Sequence, residues 1–129
     1  MIYTSYFANV KRLPINIIPI SVCGKAPEWF KGFEYRKLGP KYGFFQEWKR
    51  NHDNEFYTKH YKEEVLKYLT QWEVITELYM MTQYRDIALV CYESPDKFCH
   101  RHLIADWLNM ILRYDKVKEW EAQLPLFDY

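Results

Sequence analysis

Glycine is scarce in this chain, and cysteine is scarcer. Three cysteines, an odd number with no Cys-x-x-Cys pair, argue against a secreted disulfide framework and point to a reducing cytoplasm. Charge of one sign is missing too. With a formal net charge of +1, no global field draws the protein to nucleic acid or to a membrane surface. No apolar run approaches the roughly 18 residues of a membrane span, and no basic-plus-apolar leader opens the sequence. A soluble cytoplasmic protein with no membrane partner is the expectation. Repeats and low-complexity tracts are absent. Rings, by contrast, are plentiful. Aromatics reach 19%, with 12 tyrosines and 5 tryptophans, enough to make stacking and interface roles worth weighing. A chain of 129 residues fits one domain that buries its core without help from disulfides.

The stretch 87–112 organises the rest. Ile87 to Val90 are apolar in succession, which suits a short strand covered on both faces, as in a parallel sheet. Ser94-Pro95-Asp96 breaks that strand and supplies cap and first-turn residues for a helix. Leu103, Ile104, Trp107, Leu108, Ile111 and Leu112 then recur at helical spacing, an apolar stripe able to lie on the sheet. Two thiols, a carboxylate, an imidazole and a guanidinium sit at this strand-to-helix joint.

Elsewhere, residues 2–8 favour a first strand and residues 15–23 a second, whose first half Pro19 demotes to an edge or a bulge. Between them, residues 9–14 are too few for a full crossover helix. Residues 24–50 contain every glycine and two prolines, so a long ordered loop with at most short helical turns is expected. Its many rings exclude disorder. That loop carries seven basic residues against three acidic ones, a local excess of four positive charges. Asp53 can cap a helix from Asn54, and Tyr57, Tyr61, Val65, Tyr68, Trp72, Ile75 and Tyr79 follow at steps of three and four. One helix or two, broken near Thr70, would satisfy that pattern. Residues 115–121 read as helical. The architecture expected is a single α/β domain over 1–121, a small mainly parallel sheet flanked by helices in three Rossmann-like layers, followed by a tail at 122–129.

Cys91-Tyr92-Glu93, a short loop, and Cys99-His100-Arg101 followed by Leu-Ile-Ala together resemble the C-terminal signature of the family called domain of unknown function 488. The opening Ile2-Tyr3-Thr4 and a strand near Ile17 are similar to that family as well. Where members commonly end the second strand in an Asp-Val-Arg-like sequence, this chain reads Ser21-Val22-Cys23. The resemblance implies a fold and a pocket and brings no reaction with it.

In open α/β sheets ligands bind beyond the carboxyl ends of the strands. Those ends would gather Ser5, Tyr6, Asn9, Cys23, Lys25, Cys91, Glu93, Cys99, His100 and Arg101 around one pocket. Cys99 and His100 fall at a helix N-terminus, where unpaired N–H groups favour anions and a thiolate. Arg101 offers a fork for phosphate, and Glu93 a general base or an anchor for Arg101 or His100. Glu93, Cys99, His100 and Arg101 are therefore the catalytic candidates. The bland alternative makes Cys91 a small buried hydrophobe and Glu93–Arg101 an ion pair that fixes the loop. From the basic loop, Trp29, Lys25, Lys37 and Lys41 are expected to line the pocket beside Cys23. Cys91, Cys99 and His100, with Cys23 or His102 as a fourth, are zinc-ligand types. Adjacent ligands are awkward around one tetrahedral ion, so no metal and no cofactor is expected.

Gln123-Leu124-Pro125-Leu126-Phe127 resembles the pentapeptide by which many bacterial DNA polymerases and repair proteins hold the sliding clamp. Leu126 and Phe127 can fill an apolar pocket while Gln123 bonds its rim, with Leu124 the remaining partner contact. The same residues can instead fold back on a core edge. Two functional classes follow: a protein that binds or processes a nucleotide or nucleic acid in replication or repair, or a non-catalytic, phage-derived clamp binder. A structural zinc domain is a further alternative.

Overall fold

The computed structural model describes residues 1–122. Five strands form one parallel sheet: β1 (Ile2–Tyr6), β2 (Ile17–Ser21), β3 (Phe33–Glu34), β4 (Asp86–Cys91) and β5 (Lys118–Glu119), in the order β3-β2-β4-β1-β5. Among the described residues four α-helices flank it: α1 (Tyr42–Asn51), α2 (Asn54–Glu64), α3 (Gln71–Met81) and α4 (His100–Asn109). The α/β class expected from the sequence is the class that forms. Ile87 to Cys91 are all buried, so β4 is covered on both faces, as its unbroken apolar run requires. A 3-10 turn at Phe7–Arg12 takes the place of a crossover helix between β1 and β2. Pro19 sits where β2 has a neighbour on one side alone, because β3 pairs with only Ile20 and Ser21.

Three local expectations are corrected. Residues 42–51 are helix, not loop. Phe44, Phe45 and Trp48 share one face, and Phe44 meets Tyr57 of α2 edge-on at 5.2 Å, so packing overrides the weak helix propensity of Gly43. Residues 115–121 hold a strand, not a helix. The Asn109 side chain accepts from the Val117 N–H at 2.7 Å and donates to its carbonyl at 2.9 Å, steering the chain into β5 beside β1. Finally, α4 is capped by Cys99 and not by the Ser94-Pro95-Asp96 segment.

The pattern over 54–81 resolves as two helices. Asp53 caps α2 through the N–H groups of Glu55 and Phe56, and Thr70 caps α3 through that of Glu73. Apart from the short strand β3 and a 3-10 turn at Arg36–Leu38, residues 24–41 form an ordered loop, pinned to α3 where Tyr35 and Lys37 both donate to Glu77, at 2.8 and 3.0 Å. Its two ends meet at paired glycines. A Cβ on Gly39 would come within 3.3 Å of the Gly24 backbone.

Candidate functional site

A cleft of about 530 Å³ opens beyond the carboxyl ends of β2 and β4, against α1 and the N-terminus of α4. Phe45, Trp48, Tyr57 and Phe98 wall it with rings, and Lys25 and Lys49 supply cations. Phe45 and Trp48 are near-parallel at 6.3 Å, and the Lys49 ammonium stands 4.9 Å from the centre of the Phe45 ring. Cys23, Cys91, Glu93, Cys99 and His100 complete the wall.

The chemistry concentrates at the joint. Cys91 ends β4 and Cys99 caps α4; their sulfurs are joined in this structure, although their Cα atoms stand 7.3 Å apart. His100 is buried, and its Nε2 lies 2.6 Å from the Val22 carbonyl. A carbonyl can only accept, so Nε2 carries the proton and Nδ1 keeps its lone pair. Nδ1 faces the Cys99 sulfur at 3.9 Å. Burial pushes the His100 pKa down to about 4, so the ring is neutral at physiological pH. Burial acts oppositely on Cys23, whose thiol is pushed up to about 12. Cys23 therefore stays protonated and unreactive at neutral pH. Alkylation of the reduced, folded protein at pH 7 is expected to spare Cys23 and to label it only in denaturant, read by mass spectrometry; rapid native labelling would show an exposed thiolate instead.

Arg101 comes to the joint but turns away from the cleft. Its side chain is wholly buried, Nε and Nη2 donate to the two Glu119 oxygens at 3.1 and 3.0 Å, and Nη1 donates to the Glu93 carbonyl at 2.5 Å and the Cys91 sulfur at 3.0 Å. Four of its five N–H bonds are thereby committed, so it serves as an internal brace where a phosphate fork was expected. The ion-pair partner is Glu119, not Glu93. Glu119 also accepts from the Thr4 hydroxyl at 2.7 Å. Nothing in the sequence distance between 101 and 119 signals this pair; it depends on β5 lying beside β1.

Of the other expected pocket residues, Cys23, Lys25, Cys91, Glu93, Cys99 and His100 gather at the cleft, whereas Ser5, Tyr6, Asn9 and Trp29 do not line it. Ser5 is buried within β1, and the Tyr6 ring lies 5.7 Å from the Arg101 guanidinium. Asn9 is in the 3-10 turn, and Trp29 rests edge-on against Phe7 at 6.0 Å, capping a separate aromatic cluster. Lys37 is bound to Glu77, Lys41 precedes α1, and His102 stands outside the cleft. Phe45, Trp48, Lys49, Tyr57 and Phe98 were missed as lining residues. The spacing of Phe44, Phe45 and Trp48 was the signal that could have found α1.

Residues 10–112 match the family model DUF488-N3a, described as the active DUF488-N3 subclade. The chain belongs to this family. No curated protein and no solved structure matches it. The matched segment contains the whole joint from Cys91 to Arg101 and every residue lining the cleft. Gln123, Leu124, Leu126 and Phe127, the expected clamp contacts, lie outside both this segment and the described residues.

Proposed function

We propose that this domain binds a nucleotide, or a nucleotide end of a nucleic acid, in the aromatic cleft, and acts on it with the groups at the joint. One observation carries the reading. Stackable ring faces on Phe45, Trp48 and Phe98 share a single cleft with Lys25, Lys49 and the Cys91–Cys99–His100 cluster. A base on those rings would gain about 1–3 kcal/mol, and the ammonium groups suit phosphate. Glu93, beside the cluster, is the candidate proton acceptor. The family's description as an active subclade favours a reaction over binding alone.

Titration with nucleoside phosphates and short oligonucleotides tests this. Nucleotide should quench tryptophan fluorescence, and Trp48→Ala should weaken binding at least tenfold while the protein remains folded by circular dichroism. Unchanged fluorescence and melting temperature at millimolar nucleotide would defeat the reading.

The second element of the proposal is recruitment to a bacterial sliding clamp through Gln123, Leu124, Leu126 and Phe127, supported by the pentapeptide itself. Leu126→Ala with Phe127→Ala should abolish clamp binding in a pull-down and leave thermal stability unchanged. A large loss of stability would favour the core-packing alternative. A clamp binder without catalysis is distinguished by Glu93→Gln, which would leave its function intact.

A further inference from the structure

We propose that Cys91, Cys99 and His100, with the two thiols reduced, form a zinc site of the three-ligand type whose fourth position opens into the cleft. The proposal stands whether or not the cleft's ligand is a nucleotide. The two sulfurs and a ring nitrogen of His100 all lie within 4.8 Å of one another, and all three residues are buried. Two ligand atoms of one tetrahedral zinc, at roughly 2.3 Å for sulfur and 2.0–2.1 Å for nitrogen, stand about 3.6 Å apart. The 3.9 Å between the Cys99 sulfur and His100 Nδ1 is close to that spacing. The difficulty expected of neighbouring ligands thus disappears in the fold. Cys99 is the extended cap residue and His100 the first residue of the helix, a change of backbone direction that lets successive side chains converge.

The surroundings fit a metal as well as the ligands do. A ligating histidine ordinarily donates its other ring N–H to a carbonyl or carboxylate, which fixes the tautomer; His100 does this with Val22. Arg101 donates to the Cys91 sulfur at 3.0 Å, an interaction that favours thiolate over thiol. Two thiolates also neutralise the charge of one zinc ion, so the buried cluster carries no net charge. The backbone agrees, since a Cα separation of 7.3 Å exceeds the roughly 4.4–6.8 Å usual for disulfides and would let the two sulfurs, once reduced, part to hold an ion between them. Among the described residues no fourth histidine, cysteine or carboxylate joins the cluster. All three ligands line the cleft, so the remaining position would face incoming ligand or water, the arrangement of catalytic zinc.

The test uses the full chain, reduced with a phosphine, stripped with chelator and titrated with Zn²⁺ or Co²⁺ alone. The expected result is one metal per chain. Co²⁺ should show sulfur-to-metal charge-transfer absorption and the visible bands of a tetrahedral ion, and Zn²⁺ should protect two of the three thiols from a disulfide reagent. Cys23→Ser should bind normally, and Cys99→Ser, which leaves Cys91 as the one thiolate ligand, should weaken binding and lose about half or more of the charge-transfer intensity. Folded wild-type protein that binds no stoichiometric metal overturns the proposal without recourse to any variant. So does thiolate–cobalt absorption that is undiminished in folded Cys99→Ser.

Discussion

Glu119→Gln should cost the domain about 3–5 kcal/mol of stability, because it leaves a wholly buried guanidinium without its counter-charge. Arg101 reaches the Glu119 carboxylate through Nε and Nη2, and the Glu119 side chain is itself only 19% exposed, so water cannot replace what is removed. The amide keeps the shape but turns one acceptor into a donor facing Nη2, and the Thr4 hydroxyl competes for the acceptor that remains. Urea unfolding of the variant measures the loss, and a value under about 1 kcal/mol would show that the pair is dispensable. Arg101→Met combined with Glu119→Leu should recover much of it, since replacing both partners removes the burial of an unpaired charge. The consequence reaches the cleft. Arg101 also holds the Glu93 carbonyl and the Cys91 sulfur, so the brace ties the loop after β4 to α4 and β5.

Tyr61→Ala is the second large effect, expected to cost about 3–5 kcal/mol in a thermal or urea melt, the range for truncating a buried aromatic ring. Tyr61 is fully buried on α2, stacks on Tyr57 at 6.0 Å, and stands 5.5 Å from the His100 ring. Its hydroxyl donates to the Leu38 carbonyl at 2.5 Å, joining α2 to the long loop. Tyr61→Phe separates the two contributions. Keeping the ring and orphaning a buried carbonyl should cost about 1–3 kcal/mol. Equal losses in both variants would mean that the hydrogen bond dominates; no loss with Phe would mean that water reaches the Leu38 carbonyl.

Local pattern carried most of the architecture. The apolar run at 87–90 suited a doubly covered strand, because a central strand of a parallel sheet with helices on its faces hides both sides. Asp53 marked one helix start, since capping is a short-range hydrogen bond that the sequence contains in full, whereas the break at Thr70 was left open between one helix and two. The joint of Cys91, Cys99 and His100 was legible for the same reason: ten residues, one strand end and one helix start bring them together.

What the sequence could not determine depended on partners far along the chain. Residues 42–51 became a helix because Phe44 finds Tyr57 and Tyr61 on α2. Glycine and proline punctuation next to that segment said nothing of those rings. Residues 118–119 became a strand because β1 offered an open edge. Arg101 became a brace because that strand delivered Glu119 to it. The sequence by itself determined which groups meet at the β4–α4 joint and that an α/β sheet presents them. Tertiary structure alone decided which of them face the cleft, because the direction of a buried charged side chain is set by where its counter-charge is placed, and here that charge arrives from the other end of the domain.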